Sequence, residues 1–308
     1  MSRNSAPASR FQRCRKLTVI LCALAVPILP GRVHASADPA WTTPLSPFQV
    51  ADNLYYVGSR DLAAYLIVTP AGDILINSNL PSSPPLIRRS VEQLGFHWND
   101  IKILLISHAH FDHAGGSAAI LKSTGAKFAV MDSDAGVMES GGKTDFAFGG
   151  PGKPEQFPPA HVDRVLHDGD AITLGGTTLT AHLTPGHTRG TTTWTMQMHV
   201  PGEPSGTLRH VVIVGGWSVL SMYRLTNIHG QPPSYPGIAS DYQKTFAVLH
   251  ALRCDIFLGA HGQYFNMLSK LERRPAQGYS VWIDPEGYKE ALSIAERNFQ
   301  TDLARQTH

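Results

Sequence analysis

Short runs of apolar residues recur between residues 53 and 260, separated by clusters of Gly, Pro, Asn and Asp. Runs of this length that are rich in β-branched and aromatic residues are typical of β-strands. The pattern predicts strands over residues 53–58, 63–69, 73–78, 101–106, 127–131, 178–184, 191–200, 209–214 and 255–260. Pro70-Ala71-Gly72 joins the second and third of these and predicts a hairpin turn. The run IKILLI at 101–106 is apolar nearly throughout, so we expect it to be buried on both faces.

Four segments place apolar residues at helical spacing. Residues 82–94 begin with serines that can cap a helix and prolines that fit its first turn, and Gly95 follows the end. The other three helices are predicted over residues 117–123, 241–252 and 285–305. Helices and strands mixed in this way predict an α/β fold. Residues 141–160 are rich in Gly and Pro and predict a long, mobile loop beside the site.

The first 37 residues have the pattern of a secretory signal peptide. Basic residues from Arg3 to Lys16 precede a short apolar run, and small residues surround the site Ala35-Ser36-Ala37. We expect cleavage after Ala37, export to the periplasm, and a mature chain, residues 38–308, that forms a single domain. The apolar run is too short to span a membrane comfortably, so no membrane attachment is expected after cleavage.

Removal of this segment changes the charge of the protein. The segment holds six of the 26 Lys and Arg residues and none of the 24 Asp and Glu residues, so the mature chain has a net charge near −4 (20 − 24). An acidic chain lacks the electrostatic motive for binding nucleic acid, and none is expected as a partner. Cys14 and Cys22 leave with the segment. Cys254 therefore cannot form an internal disulfide, and we expect it to fill apolar space in the core.

Three histidines and an aspartate crowd the stretch SHAHFDHAGG, directly after the predicted strand IKILLI. His108, His110, Asp112 and His113 offer imidazole nitrogens and a carboxylate, which are donors that zinc accepts. Four donors within six residues cannot all surround one ion together with distant ligands. The spacing therefore predicts two adjacent metal ions.

Two further histidines, His187 in TPGHT and His261 in LGAHG, also follow predicted strands. With them the chain has three donors for each ion and open positions for water, which indicates a catalytic rather than a structural site. The other histidines of the mature chain are interpreted as surface or structural residues: His97, His161, His167, His182, His199, His210, His229, His250 and His308.

The chain resembles the metallo-β-lactamase superfamily in three features. These are the motif HAHFDH, the motif TPGH, and His261 after an apolar strand. The resemblance extends over residues 41–287 and includes stretches such as LLISHAHFDHAGGS and LTAHLTPGHTRGTTTWTM. Within the superfamily, the chain most resembles the third subclass of the class B β-lactamases. This resemblance implies an αββα sandwich, with two mixed sheets face to face and helices outside. It also implies hydrolysis of penicillins, cephalosporins and carbapenems, two zinc ions as cofactors, and no obligate protein partner.

The resemblance also implies roles for individual residues. It divides the six donors between two zinc ions, the first held by His108, His110 and His187 and the second by Asp112, His113 and His261. A hydroxide that the ions make available at neutral pH would attack the lactam carbonyl, with Asp112 orienting it. Tyr223 matches a family tyrosine near that carbonyl and is expected to act as an oxyanion donor.

The segment after the strand RHVVIV departs from the family pattern. Relatives commonly have a serine at the position of Gly216, and a close relative has an asparagine at the position of Leu220. We expect Trp217, Ser218 and Ser221 to contact the substrate here. No Asp or Cys ligand follows this strand directly, which argues against the superfamily's thioesterases, lactonases and nucleases and against the lactamase subclass that has a Cys ligand.

Further expectations concern the surroundings of the site. Relatives pair a cysteine at the Cys254 position with one at the position of Tyr288, so that disulfide is missing here. Position along the chain makes four residues candidates for hydrogen bonds that orient the imidazoles: Asn77, Asn79, Ser107 and Thr184.

Two other functions stay open. One is another hydrolase of the same superfamily, acting on a lactone, a thioester or a phosphodiester. The other is a periplasmic zinc-binding protein without turnover.

Overall fold

The computed structural model describes residues 38–307, so the predicted signal peptide lies outside the described residues. Within this range twelve strands form two sheets. The strands are β1 Phe48–Ala51, β2 Leu54–Tyr56, β3 Tyr65–Ile67, β4 Asp73–Ile76, β5 Ile101–Leu105, β6 Lys127–Met131, β7 Arg164–Leu166, β8 Ala171–Leu174, β9 Thr177–Leu183, β10 Thr192–Met198, β11 Arg209–Val214 and β12 Ile256–Gly259.

Seven α-helices connect or follow these strands: α1 Pro84–Gln93, α2 Phe111–Ala114, α3 Ser117–Thr124, α4 Asp132–Ser140, α5 Ile238–Ala251, α6 Met267–Gln277 and α7 Pro285–Thr307. Short 3-10 helices cover Pro39–Trp41, Trp98–Asp100, Gly262–Phe265 and Gly278–Trp282. Among the residues from 38 to 307, no helix is both long and apolar enough to cross a membrane.

The first sheet contains β1 to β7 in chain order. Its first four strands pair antiparallel, and the turn between β3 and β4 is the predicted hairpin. Gly72 occupies this turn at φ 112°, a conformation that glycine adopts without strain, and its N–H donates to the carbonyl of Thr69. From β4 to β7 the strands are parallel. Parallel neighbours need crossover connections, and α1 to α4 supply them.

The second sheet has the order β12-β11-β10-β9-β8. The three pairs formed by β8 to β11 are antiparallel, whereas β11 and β12 are parallel and are connected through α5. The carboxyl ends of β5 and β12 lead directly into histidine-bearing segments, as the sequence predicts.

The core lies between the two sheets and continues under the helices. Alternation along β4 divides its side chains, because Ile74 and Ile76 join the cluster shared with the second sheet while Leu75 packs with α1 and α3 on the other face. Trp194 of β10 and Phe246 of α5 belong to the shared cluster. Two sheets face to face with helices on their outer faces confirm the expected αββα sandwich.

Every predicted strand and helix occurs in the structure. The structure also contains elements that the sequence did not predict: β1, β7, β8, α2, α4 and α6. Helix α6 contains Pro275, a residue that disfavours a helix interior, so its pattern did not indicate a helix. The expectation that IKILLI is buried on both faces is wrong at Lys102, whose exposed side chain donates to the carbonyl of Asn99 at 2.8 Å. A serine, Ser83, occupies the N-cap position of α1 as predicted, but its side chain makes no capping hydrogen bond.

Candidate metal centre

The six predicted donors lie in three loops that meet at one edge of the sandwich. β5 leads to His108 and His110, and α2 presents Asp112 and His113. His187 lies between β9 and β10, and His261 follows β12, so the second sheet contributes the other two donors. The sheets are tied together here, since the backbone N–H of Thr192 donates to the carbonyl of Ser107 at 2.7 Å and the indole N–H of Trp194 donates to that of Ile106 at 3.1 Å.

The first donor group consists of His108, His110 and His187. One donor atom from each of the three lies within 4.8 Å of the other two. The ring centroids are 4.6 to 4.8 Å apart, and each pair of rings is steeply inclined. Three imidazoles that converge from different directions can share a metal ion, as neutral imidazoles do in zinc sites.

The second donor group consists of Asp112, His113 and His261. Nε2 of His113 lies 3.3 Å from Asp112 Oδ2 and 3.1 Å from His261 Nε2, and the third side of this triangle measures 3.7 Å. Donor atoms of His108, Asp112 and His113 are also within 4.8 Å of one another, so the two groups are neighbours. The resemblance to the superfamily predicts the same grouping, and the binding of two ions by these groups stays a prediction.

Hydrogen bonds to backbone carbonyls hold the Nδ1 atoms of two histidines of the first group, on the side of each ring away from Nε2. Nδ1 of His108 lies 2.9 Å from the carbonyl oxygen of Gly215, and Nδ1 of His187 lies 2.8 Å from that of Ser218. Because a carbonyl only accepts, both nitrogens must carry the proton, which leaves Nε2 as the free donor atom. Nε2 of His108 is buried without a hydrogen-bond partner within the described residues. A buried nitrogen of this kind fits a metal ligand.

The outer partner of His261 is a carboxylate that the sequence did not reveal. Asp61 Oδ2 accepts from His261 Nδ1 at 2.8 Å, and its other oxygen accepts from the backbone N–H of Gln263 at 3.0 Å. A carboxylate behind an imidazole fixes the ring and strengthens it as a ligand. Asp61 lies 200 positions from His261 and belongs to no motif, so nothing local in the sequence points to it.

Burial controls the charge of the donors. It lowers the pKa of His187 from 6.5 to about 4 and lowers the pKa values of His108 and His110 well below the ordinary value, because a buried imidazolium loses its hydration. Burial acts to raise the pKa of Asp112, but the neighbouring His113 and His261 outweigh it and hold this pKa well below its ordinary value. At neutral pH the first donor group therefore offers neutral imidazoles and Asp112 offers a carboxylate, which are the forms that bind zinc.

Asp134, at the start of α4, joins two of the loops. Its carboxylate accepts hydrogen bonds of 2.8 Å from the N–H of Ala109, the hydroxyl of Thr188 and the N–H of Gly190. A Cβ atom on Gly190 would lie 2.6 Å from Asp134, so only glycine fits this close approach. Burial raises the pKa of Asp134 to about 6. A single buried residue thus fixes the segment between His108 and His110 against the loop that carries His187.

None of the four residues predicted to orient imidazoles is hydrogen-bonded to one within residues 38–307, and the Ser107 hydroxyl is buried without a partner there. Asn77 Oδ1 accepts from the backbone N–H of Ser107 at 2.7 Å, and the N–H of Asn79 donates to the carbonyl of His113 at 3.1 Å. Both asparagines have positive φ, which asparagine tolerates better than most residues. Thr184 bonds to Thr193 at 2.9 Å. These contacts support the backbone of the site rather than its imidazoles.

Two predicted site residues are largely buried. The Tyr223 hydroxyl donates to the carbonyl of His187 at 2.7 Å, and its ring lies 6.3 Å from that imidazole. Its role as an oxyanion donor stays a prediction. The Trp217 ring is buried against Phe257 and Tyr264, with centroids 5.8 and 5.1 Å apart. Its contact with substrate stays a prediction.

Ser218 contributes through its backbone. Its carbonyl accepts from His187 and also from the Tyr242 hydroxyl at 2.8 Å. Ser221 is exposed before Tyr223, and its contact with substrate stays a prediction.

The departures from the family pattern have local explanations. A Cβ atom on Gly216 would lie 3.0 Å from Cδ2 of His187, so a larger residue requires the ring to move by a few tenths of an ångström. Cys254 is free and buried, as expected. Tyr288, where relatives have the partner cysteine, donates its hydroxyl to the carbonyl of Leu249 at 2.7 Å and packs its ring on Phe257.

Comparison with known proteins agrees with this geometry. The family model described as the metallo-β-lactamase superfamily matches residues 60–198. The native FEZ-1 metallo-β-lactamase from Legionella gormanii is 47% identical, with a TM-score of 0.81 over 86% of this chain and 98% of that one. The chain belongs to the metallo-β-lactamases of subclass B3.

Two other structures support the subclass. BJP-1, a subclass B3 enzyme of Bradyrhizobium japonicum, is 37% identical with a TM-score of 0.79, over 87% of this chain and 97% of that one. LRA-12, a class B3 di-zinc enzyme from an Alaskan soil metagenome, is 37% identical with a TM-score of 0.77 over the same shares. The chain spans 47% and 23% of the length of two curated metal-dependent hydrolases, from Anaeromyxobacter dehalogenans and Anaeromyxobacter sp. respectively.

Proposed function

We propose that the protein is a zinc-dependent β-lactamase that hydrolyses the amide bond of β-lactam antibiotics. His108, His110 and His187 would hold one zinc ion, and Asp112, His113 and His261 would hold a second. The observation that carries this proposal is the meeting of two three-residue donor groups in a chain that is 47% identical to a metallo-β-lactamase over 86% of its length.

The donor atoms fit zinc better than magnesium or calcium. Five of the six donors are imidazoles, which are borderline ligands, whereas magnesium and calcium prefer oxygen ligands throughout. The di-zinc relative from soil has the same fold and subclass. Three protein ligands for each ion leave positions open, and such positions favour catalysis over a purely structural site.

Zinc ions in such a site lower the pKa of water to about 7 and polarise a carbonyl oxygen. The chain's own residues provide the rest. Asp112 is ionised across the neutral range, so its carboxylate can accept a hydrogen bond from water beside the donor groups and orient it. Trp41, Phe111 and Phe148 are half-buried aromatic residues around the donors, and they can restrict the access of bulk water.

The proposal extends to the whole protein. Residues 1–37 would be a cleaved signal peptide, and residues 38–308 would form one domain that acts in the periplasm on small β-lactam molecules. The pattern of basic, apolar and small residues at the amino terminus supports export.

Purified protein should be assayed on a penicillin, a cephalosporin and a carbapenem, with and without a chelator. We expect turnover of at least one class that a chelator abolishes and added zinc restores. Turnover of a lactone, thioester or phosphodiester without β-lactam hydrolysis would assign the site to another hydrolase. Zinc binding with no turnover of any of these substrates would contradict an enzymatic role.

A further inference from the structure

Nε2 of His110 lies close to a carboxylate that comes from a loop. Nε2 of His110 is buried and has no hydrogen-bond partner among residues 38–307, and Asp145 Oδ2 lies 3.8 Å from it. The other first-group histidines, His108 and His187, are held by backbone carbonyls of the fold. Asp145 itself belongs to neither donor group.

The turn around Asp145 fixes the direction of its carboxylate. Oδ1 accepts from the N–H groups of Ala147 and Phe148 at 2.8 and 2.6 Å, so that only Oδ2 is left to face His110. The chain turns tightly here, because the N–H of Gly149 donates to the Asp145 carbonyl and a Cβ atom at Gly149 would lie 2.1 Å from that oxygen. The side chain of Asp145 is 4% exposed, so it is buried with its target.

An aromatic ring from the same turn covers His110. Phe148 meets the imidazole edge to face, with centroids 4.9 Å apart, and lies 5.7 Å from the ring of Phe111. The nitrogen and the carboxylate are therefore enclosed together. A movement of about 1 Å would bring them to the distance of a charge-assisted hydrogen bond.

We propose that Asp145 is a positioning residue for His110. Its carboxylate would accept a hydrogen bond from the Nε2–H of the imidazole, which leaves Nδ1 free to bind a divalent metal ion. A carboxylate behind a histidine ligand orients the ring and raises its basicity. The first donor group would then be complete only when residues 143–150 are folded over it. This inference rests on the proposed zinc binding and adds to it a residue outside the ligand set.

The zinc affinity of each site tests the proposal. Wild type, Asp145→Asn and Glu139→Gln should be titrated with zinc against a chromophoric chelator. The asparagine side chain of the Asp145→Asn variant keeps an oxygen for the turn but loses the charge that faces His110. We expect Asp145→Asn to weaken one of the two zinc sites by about 10- to 100-fold and to leave the other unchanged. Glu139 is exposed at the end of α4, so Glu139→Gln removes the same charge and should change neither affinity.

The protonation of the imidazole gives an independent readout that needs no variant. Long-range proton–nitrogen NMR spectra of the zinc-loaded wild type should show His110 protonated on Nε2. A proton on Nδ1, or equal zinc affinities in wild type and Asp145→Asn, would overturn the proposal, and so would equal weakening of both sites. Wild-type protein that binds no zinc would instead contradict the proposed function itself.

Discussion

The Nε2 atoms of His113 and His261 lie 3.1 Å apart although 148 positions separate the two residues in sequence. Two imidazole nitrogens at this distance share either a proton or a metal ion. The Asp112 carboxylate reaches within 3.3 Å of one and 3.7 Å of the other, which is the spacing expected of ligands around a common ion. The fold thus brings distant loops together around a point suited to a cation.

Removal of one ligand from each donor group should remove one zinc ion at a time. We expect His110→Ala and His261→Ala each to bind about one zinc per chain. Their β-lactam turnover should fall by more than about 100-fold, which exceeds the typical effect of losing a residue that only hydrogen-bonds to a metal ligand. His182→Ala is a suitable control, because His182 bonds to Thr195 outside both groups. Metal analysis after gel filtration measures the stoichiometry. Two zinc ions retained by either ligand variant would contradict the assignment.

Tyr223→Phe distinguishes a structural hydroxyl from a catalytic one. The hydroxyl donates to the carbonyl of His187, so its loss should reduce the free energy of unfolding by about 0.5–1.5 kcal/mol. Turnover should change by no more than a few-fold, whereas loss of an oxyanion donor typically costs about 100- to 1,000-fold. Tyr242→Phe, which loses a similar bond to Ser218, serves as the comparison. Steady-state kinetics and urea unfolding decide between the two roles.

Asp134→Ala should destabilise the protein substantially. The substitution leaves the N–H groups of Ala109 and Gly190 and the hydroxyl of Thr188 without their acceptor. Each buried donor left unpaired costs about 1–3 kcal/mol, so a loss of roughly 3 kcal/mol or more is expected in urea unfolding. Asp132 is exposed in the same turn of α4, and Asp132→Ala should cost less than about 1 kcal/mol. Equal effects of the two substitutions would rule out a special role for Asp134.

The metal-free protein should become less stable as the pH falls from 7 to 5. His187 has a pKa of about 4 in the folded chain and 6.5 in the unfolded chain, so the unfolded state binds the proton first. Stability that is present above pH 6.5 is therefore lost on acidification, by about 2 kcal/mol at pH 5 from this residue. His187→Gln cannot bind that proton and should show a smaller loss. Urea unfolding of both proteins at the two pH values measures the difference, and parallel pH profiles would count against the assignment.

The sequence predicted those features that depend on nearby residues. Apolar runs such as Ile74-Leu75-Ile76 indicate strands, and the cluster from His108 to His113 indicates a metal centre because its donors are adjacent in the chain. His187 and His261 are further candidates because each follows a predicted strand. Their convergence with the cluster depends on how the two sheets pack.

The sequence could not predict the partners that act across the fold. Asp61, Asp134 and Asp145 are single acidic residues outside any motif, and their roles arise only from contacts with distant loops. The resemblance to relatives predicts that Tyr223 lies near the substrate, and Trp217 is predicted to contact the substrate in a segment that departs from the family pattern. The packing of a side chain around a loop decides its direction, and both side chains are buried here.

Stepwise addition of zinc to metal-free protein, followed by hydrolysis of a chromogenic cephalosporin, tests the central claim most directly. The claim is that the two donor groups bind zinc and together hydrolyse β-lactams. It predicts negligible turnover without metal and a rise that reaches its plateau by two equivalents of zinc. Full turnover in the metal-free protein, or no turnover once two zinc ions are bound, would contradict it.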